Sequence, residues 1–462
     1  MPTPAAVSAA LDPDRALRRL AGYVARPAIS CDPDHHADVE ALAEAVAADL
    51  AALGLDATVL RLPGALPSVA ASWMGAGPDA PTVLVYGHLD LQPVKGEPWT
   101  SDPHALTQRG ERVFARGASD DMGGWVSHLE AIQAYLEVEG GLPVNLRLLI
   151  EGEEEIGSPN LERYMDAFPE AFAADVMILT DCENPSPTQP GLTVSLRGLL
   201  EVELRCAALE ADGHSGLWGG MVPDVSLALM RLVSRLCDED GRMAIGRVEV
   251  PADWRAAAWG VPLSAAVIHA GAHLLPGVSA LPDRGRPPAE WMWRQPSITV
   301  VATTLPTADR KKNALRTAAS ATLSVRLAPG QTVDEMMGLL RAALLADPPA
   351  GVEVSVEQGK NASEGWLYTP RGPAFAAADR AYRASWGQPL LQVGVGGSIP
   401  FVALFGRRYG DLPLILNGVM DPESTAHGPN ESLHLGVFAK AIAANAALYA
   451  ELGALGKAGL KA

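Results

Sequence analysis

The segment Pro81–Asp90, PTVLVYGHLD, decides the fold prediction because it begins as a buried strand and ends in polar side chains. Its apolar, β-branched run TVLVY is typical of a strand covered on both faces in a mostly parallel sheet. Gly87 ends the run, and His88 and Asp90 follow with one residue between them. Since residues two apart on an extended chain point the same way, an imidazole and a carboxylate share one side of the strand end.

Composition indicates a globular protein that binds neither nucleic acid nor a membrane. The chain has 462 residues, long enough for two or three domains. With 48% hydrophobic and 19% charged residues, it can bury a sizeable core. Its 54 acidic and 36 basic residues give a formal net charge of −18, which argues against nucleic acid and anionic membranes as partners.

The four cysteines lie far apart and form no CxxC pair. This spacing argues against a disulfide framework or a thiolate zinc site and fits a reducing compartment. The N-terminal stretch lacks the basic and apolar regions of a signal peptide, and no uncharged apolar stretch reaches the ~18 residues that span a bilayer. We therefore expect a cytoplasmic protein.

Strands alternate with helices over residues 1–190, which predicts an α/β domain with a mostly parallel sheet flanked by helices. The segment 37–54 has apolar residues at steps of three and four and ends in glycine, as an amphipathic helix does. The next predicted elements are strands at 57–62, 68–73 and 82–86 and a helix at 123–140.

The pattern changes near residue 191, where GLTVSLRGLLEVELRC alternates like an antiparallel strand with one solvated face. A helix at 224–237, an irregular tryptophan-bearing stretch at 240–297 and further alternating strands indicate an inserted α+β unit over 191–364. The α/β pattern returns over 365–462 and completes the first domain.

Acids and histidines collect where the predicted strands end, which is where open α/β sheets bind ligands. These side chains are His88 with Asp90, Asp120 with Asp121, Glu153–Glu155, Asp181 and, in a loop, His427. Each has a structural alternative: a helix cap, a solvated charge run, the start of a turn or an ordinary loop histidine. Together, however, acids at one sheet edge would repel one another unless a cation held them.

The ligand types indicate which cation this would be. Imidazole and carboxylate ligands without cysteine suit Zn²⁺, Mn²⁺ or Co²⁺, and they suit Ca²⁺ poorly because Ca²⁺ prefers oxygen ligands alone. Two histidines and three carboxylates would hold two ions if one carboxylate bridged them.

Eight motifs occur in the order and spacing of the two-metal amidohydrolase and exopeptidase family, which includes carnosine dipeptidases, aminoacylases, carboxypeptidase G and succinyl-diaminopimelate desuccinylase. They are GHLD, ARGASDDMGG, EGEEEIGS, TDCE, DGHSGLWGG, SVRLAPGQ, GGSIP and AHGPNE. The chain resembles this family most clearly over 80–435, and its GGSIP and DGHSG forms resemble the cytosolic nonspecific dipeptidase and carnosinase branch. The resemblance implies a catalytic domain in two parts, 1–190 and 365–462, and a lid or dimerisation domain at 191–364.

The resemblance also implies the ligands of two Zn²⁺ ions per subunit, with Mn²⁺ or Co²⁺ as alternatives. They are His88, Asp120 and Asp181 for one ion and Asp120, Glu155 and His427 for the other. Asp120 would bridge, and Asp90 would accept a hydrogen bond from the second ring nitrogen of His88 and so fix its tautomer.

The remaining implied roles concern catalysis. Glu154 would be the general base toward a water bound by both metals, and His214 would stabilise the oxyanion. Arg326 would clamp the substrate carboxylate in a pocket lined by Gly397 and Ser398. In dimeric relatives the histidine comes from the second subunit, so the resemblance implies a homodimer.

Other residues near the motifs receive structural interpretations. We expect Asp121 to cap a helix, Glu153 to be solvated and His128, in the middle of its helix, to be packed and not catalytic. The remaining histidines are also interpreted as structural or solvated; they are His35, His36, His104, His269, His273 and His434. Two departures from the family are Met122, where lysine is common, and Gly394-Val395, where the carnosinase branch has Arg-Glu.

The predicted function is therefore metal-dependent hydrolysis of dipeptides or short peptides with a free C-terminal carboxylate. The alternative is an N-acyl amino acid amidohydrolase, which would differ in what its amine-side pocket accepts. A non-catalytic metal-binding protein on the same scaffold is a third hypothesis, disfavoured because the general base, all five ligands and both substrate-contacting side chains are present.

Overall fold

A computed structural model of the chain describes residues 3–396, 400–410 and 412–460, with only the backbone for 400–403 and 407. The chain forms two compact units. Unit 1 comprises Met1–Val194, Thr369–Val393 and Pro400–Ala462, and unit 2 comprises Ser195–Tyr368 and Gly394–Ile399. The functional division at 190/191 and 364/365 stays a prediction.

The elements follow in chain order. The strands are β1 (Asp56–Leu60), β2 (Ser68–Trp73), β3 (Thr82–His88), β4 (Thr107–Arg109), β5 (Arg112–Phe114), β6 (Asn145–Glu151), β7 (Val176–Leu179), β8 (Gly191–Leu196), β9 (Gly198–Ala207), β10 (Gly213–His214), β11 (Ser297–Thr303), β12 (Ala314–Leu315), β13 (Ala318–Leu327), β14 (Glu353–Ser363), β15 (Trp366–Leu367), β16 (Leu391–Val395), β17 (Leu414–Leu416) and β18 (Ser432–His434). The helices are α1 (Ala5–Ala10), α2 (Pro13–Val24), α3 (His36–Ala52), α4 (Met122–Glu139), α5 (Leu161–Ala167), α6 (Pro169–Phe172), α7 (Ser215–Trp218), α8 (Val225–Ser234), α9 (Ala252–Ala258), α10 (Ala265–Gly271), α11 (Pro288–Trp293), α12 (Val333–Leu345), α13 (Pro373–Trp386), α14 (Pro400–Tyr409) and α15 (Leu435–Leu460).

Unit 1 is built on a six-stranded sheet of order β1-β2-β6-β3-β7-β17. Strands β6, β3, β7 and β17 run parallel, whereas β1 and β2 pair antiparallel at one edge. Every residue of β3 is buried, as its apolar run predicts. Helix α3 packs against β1 and β2, and α4 packs against β3. The predicted α/β fold with a mostly parallel sheet is confirmed.

Helix α15 is long and apolar enough, by length and composition alone, to cross a membrane. In the structure, 67% of its apolar window is buried, and the helix packs against α4 and α13. This burial identifies α15 as a core helix of unit 1.

Unit 2 contains an antiparallel sheet of order β11-β13-β9-β14. Residues of β13 alternate strictly between buried and partly exposed, so one face of this strand lines a core. Helices α8 and α12 pack against the sheet, α8 on β9 and β13 and α12 on β14. The stretch 240–297, which the sequence indicated to be irregular, contains the short helices α9, α10 and α11.

Candidate metal centre

The end of β3 places His88 in a fully buried position in unit 1. Its Nε2 lies 3.2 Å from Oδ1 of Asp120. Its Nδ1 lies 3.1 Å from the backbone oxygen of Asp90 and 3.5 Å from the Oδ1 of that residue. The closer contact of the ring therefore involves the main chain of Asp90, whereas the prediction names its carboxylate.

The carboxylate of Asp90 instead shapes the turn that carries the glutamates. Its Oδ1 accepts a hydrogen bond from the backbone N–H of Glu154 at 3.1 Å, and its Oδ2 accepts one from Glu155 at 3.0 Å. Glu154 begins a short 3₁₀ helix, Glu154–Ile156, just past the end of β6. Asp90 is fully buried, so it fixes this turn from inside unit 1.

Asp120 lies between the two predicted histidine ligands. Its Oδ1 faces Nε2 of His88, and its Oδ2 lies 3.1 Å from Nε2 of His427. The same His427 nitrogen lies 3.2 Å from Oε2 of Glu155. One carboxylate oxygen toward each histidine is the arrangement that a bridging ligand requires.

Six side chains form two groups whose potential ligand atoms lie within 4.8 Å of one another in each group. The groups are His88, Glu154 and Asp181, and Asp120, Glu155 and His427. All five predicted ligands and the predicted general base thus come together in unit 1. Glu154 belongs to the first group, beside His88, which is the placement expected of a base that acts next to a metal-bound reactant.

The electrostatics of these groups test whether a cation fits them. Burial raises the pKa of Glu154 well above its ordinary value; the nearby His88 opposes this shift, and the charges of Asp181 and Glu155 add to it. Burial and the charge of Asp120 raise the pKa of Asp181 to about 7. Hydrogen bonds to Asp120 and Glu155 raise the pKa of His427 to about 11. Crowded carboxylates of this kind stay ionised beside a cation, and a nitrogen-and-oxygen donor set without sulfur suits divalent zinc, manganese or cobalt.

Asp121 differs from its prediction. It occupies the N-cap position of α4, but its side chain makes no capping hydrogen bond. Its Oδ2 accepts hydrogen bonds from the Thr180 hydroxyl at 2.6 Å and from the His88 backbone N–H at 3.3 Å. A Cβ atom at Gly87 would lie 2.5 Å from this oxygen, and one at Gly124 would lie 2.1 Å from Oδ1. Asp121 therefore supports the end of β3, and both glycines are needed for its close approach.

The prediction of a solvated Glu153 is wrong. Its side chain is buried, and its Oε1 accepts hydrogen bonds from the backbone N–H of Leu66 at 2.9 Å and from Nδ2 of Asn160 at 3.0 Å. His128, in contrast, is packed as expected: it is buried in α4, with Nδ1 2.8 Å from the Tyr449 hydroxyl.

Sequence reasoning missed two buried side chains that contact the ligand segments. Glu431 and Arg116 are nearly inaccessible to solvent and form an ion pair of 3.0 Å between Oε2 and Nη1. Glu431 is the last residue of the AHGPNE motif, so its place in that motif could have identified it from the sequence. A third residue, Gln92, donates from Nε2 to Oε2 of Glu155 at 2.7 Å.

Among the described residues, two predicted site residues, His214 and Arg326, lie in unit 2. His214 ends β10 with an exposed side chain, and its Nδ1 accepts a hydrogen bond from the backbone N–H of Gly216 at 3.1 Å. This contact assigns the proton of the neutral ring to Nε2, which is therefore a hydrogen-bond donor. Gly397 and Ser398, predicted to line the substrate pocket, lie outside the described residues.

Arg326 lies half-buried on β13, opposite Ser297 of β11. Of the residues that the structure describes, no acidic side chain forms an ion pair with it. A second guanidinium lies nearby: Arg197 donates from Nη1 to the Ser297 hydroxyl at 3.0 Å and from Nε to the Gly396 backbone oxygen at 3.0 Å. Burial and the charge of Arg326 lower the pKa of Arg197 to about 10. This part of unit 2 is therefore suited to an anion.

Solved structures share this fold. Human carnosine dipeptidase 1 is 23% identical, with a TM-score of 0.77 over 98% of this chain and 100% of the other. A metallo-carboxypeptidase of the M20 family from Sulfolobus solfataricus is 25% identical, with a TM-score of 0.76 over 96% of this chain and 100% of the other.

The sequence comparisons point the same way. A cysteinylglycine-S-conjugate dipeptidase from Corynebacterium striatum is 33% identical over 424 residues, which cover 91% of each chain. The Cys-Gly metallodipeptidase DUG1 of Saccharomyces cerevisiae is 26% identical over 420 residues, or 86% of each chain. Residues 84–451 match the family model described as peptidase family M20/M25/M40. The chain therefore belongs to this peptidase family, as the eight motifs predicted.

Proposed function

We propose that this protein is a metal-dependent dipeptidase that hydrolyses the peptide bond of dipeptides or short peptides with a free C-terminal carboxylate. The observation that carries the proposal is the bridging position of Asp120, with one oxygen toward His88 and the other toward His427. The names of the relatives support the substrate class, since two that are similar over most of their length are named as dipeptidases of Cys-Gly or its S-conjugates.

The proposed metal ligands are five of the six side chains in the two groups, with Glu154 left as the general base and Asp120 shared by both ions. They are His88, Asp120 and Asp181 for one ion and Asp120, Glu155 and His427 for the other. Two Zn²⁺ ions, or Mn²⁺ or Co²⁺ in their place, would supply Lewis acidity and lower the pKa of a water molecule. The carboxylate of Asp90 binds the backbone N–H groups of Glu154 and Glu155 and so fixes the positions of the proposed base and its neighbouring ligand.

In the proposed mechanism, Glu154 accepts a proton from the attacking water and passes it to the leaving amine. Burial raises the pKa of Glu154, which makes its carboxylate a stronger acceptor for the proton of the water. The Nε2–H of His214 donates to the oxyanion, and Arg326 binds the terminal carboxylate with its planar guanidinium.

The assembly is part of the proposal. His214 and Arg326 belong to unit 2, and the ligands belong to unit 1. We assign unit 2 as the lid or dimerisation domain and expect a cytoplasmic homodimer in which the partner's copy of unit 2 supplies the histidine. The dimeric relatives that the motifs resemble support this arrangement.

A substrate panel tests the activity. It compares Cys-Gly, an S-substituted Cys-Gly and β-Ala-His with N-acetyl and N-succinyl amino acids, each with added Zn²⁺, Mn²⁺ or Co²⁺. We expect hydrolysis of the free dipeptides, faster for Cys-Gly or its conjugate than for β-Ala-His, because Gly394-Val395 replaces a charged pair. The Glu154→Gln variant is the control for contaminating peptidases. Hydrolysis of N-acyl amino acids alone would overturn the dipeptidase proposal in favour of a deacylase.

A further inference from the structure

A buried ion pair lies behind the second group of potential ligands. Arg116 is 1% exposed and Glu431 is fully buried, with Nη1 and Oε2 3.0 Å apart. Enclosing two charges is costly, and such a pair contributes little net stability compared with apolar side chains of similar volume. The contacts of the pair therefore indicate a purpose other than core stability.

Glu431 holds the turn that carries the bridging aspartate. Its Oε1 accepts hydrogen bonds from the backbone N–H groups of Ser119 at 3.0 Å and Asp120 at 3.1 Å. Its Oε2 accepts a third from the backbone N–H of Gly117 at 3.2 Å. A single carboxylate thus binds three N–H groups of the segment that leads into α4.

Arg116 extends the same contacts to the loop of the second histidine. Its Nη2 lies 3.4 Å from the backbone oxygen of His427 and 3.1 Å from Oε2 of Glu97. His427 has a φ of 63°, a left-handed conformation that costs a non-glycine residue energy unless its surroundings hold it. The guanidinium is one such restraint.

We propose that Glu431 and Arg116 are positioning residues that fix Asp120 and His427 relative to each other and thereby set the affinity for the metal shared by Asp120, Glu155 and His427. The pair touches the backbone of both ligands and the side chain of neither. This inference rests on the proposed metal centre.

The molecule offers a matched control for loss of a buried glutamate charge, in a pair whose arginine, Arg15, is 25% exposed. Glu130 is also fully buried and binds Nη2 of Arg15 at 2.7 Å, but it lies on α4 and contacts the N-terminal segment through the backbone N–H of Asp12 at 2.8 Å. Glu130→Gln and Glu431→Gln therefore remove the same charge from the same degree of burial. Only the second contacts the ligand segments.

The experiment uses full-length protein stripped of metal and titrated with Co²⁺, with binding followed by calorimetry and by cobalt absorption. We expect Glu431→Gln to weaken one of the two binding steps by about 10- to 100-fold, the usual effect of losing an outer contact of a metal ligand. Glu130→Gln should keep both dissociation constants within about two-fold of the parent while unfolding at a lower temperature without metal.

Arg116→Lys is the second variant, in case Glu431→Gln does not fold. The single ammonium of the lysine keeps a positive charge beside Glu431. It cannot also reach Glu97 and the backbone of His427, so the same binding step should weaken. Unchanged Co²⁺ affinity in the Glu431 or Arg116 variant, or an equal loss in Glu130→Gln, would overturn the positioning role. If the parent protein itself binds no Co²⁺, the proposed metal centre fails instead.

Discussion

Glu154 and Glu155 are neighbours in the chain, yet they belong to different ligand groups, Glu154 with His88 and Glu155 with His427. The backbone N–H groups of both residues donate to the one carboxylate of Asp90. Because this turn is fixed, two chemically identical side chains can lie in different ligand groups.

The two glutamine variants of this pair should therefore behave differently. Glu154→Gln should lower kcat by at least about 10²-fold, since an amide cannot accept the proton of the water, while metal content persists. Glu155→Gln should lose metal. Metal analysis and steady-state kinetics of both proteins check this. Equal metal loss in both variants, with no substrate binding in either, would show that the split of the pair is wrong.

Protein purified without chelator should carry close to two metal equivalents per chain, because six ligand-type side chains converge in two groups. Asp120→Ala should lose both, since the proposed ligand set of each ion includes the bridging carboxylate of Asp120. Glu153→Gln is the matched control: this buried carboxylate binds Leu66 and Asn160 and should leave the metal content unchanged. A folded, active protein with almost no metal contradicts the prediction.

His214→Ala should lower kcat by ~10²–10³ without loss of metal, the range for one oxyanion donor. Mixing it with Glu154→Gln under subunit exchange should restore part of the activity, because one site in each mixed dimer has both groups intact. His269→Ala, another histidine of unit 2, should behave like the parent. A monomeric protein, or no restoration despite verified exchange, refutes the shared site.

His128 should make stability depend on pH. Burial lowers its pKa to about 3 from an ordinary value of 6.5. Below about pH 6.5, His128 therefore binds a proton in the unfolded chain but stays neutral in the native state. Stability is fully present above that pH and falls toward about pH 3 by up to about 1.4 kcal/mol per pH unit.

The His128→Gln variant cannot lose stability in this way because glutamine does not titrate. The difference in unfolding free energy between the parent and this variant should therefore become smaller as the pH falls from about 7 to about 5. Urea unfolding of both metal-free proteins at several pH values measures the difference. Parallel pH profiles for the two proteins would mean that His128 titrates normally in the native state.

The failed predictions share one cause, which is that burial by distant segments is invisible in a local pattern. Three consecutive glutamates resemble a solvated charge run, but the backbone N–H of Leu66, 87 residues away in sequence, donates a hydrogen bond to the buried Glu153. Asp121 has the position of a helix cap, yet its carboxylate accepts a hydrogen bond from the Thr180 hydroxyl and makes no capping hydrogen bond to α4.

The sequence by itself determined the α/β class, the family and the identity of the side chains that converge. Strand ends of a parallel sheet meet at one edge, so a motif such as GHLD at the end of β3 specifies both a residue and its place. Only the tertiary structure decided which atoms meet. The oxygens of Asp120 divide between two histidines, and Glu431 joins a turn 311 residues away, because those contacts depend on loops whose paths are set by packing and not by periodicity.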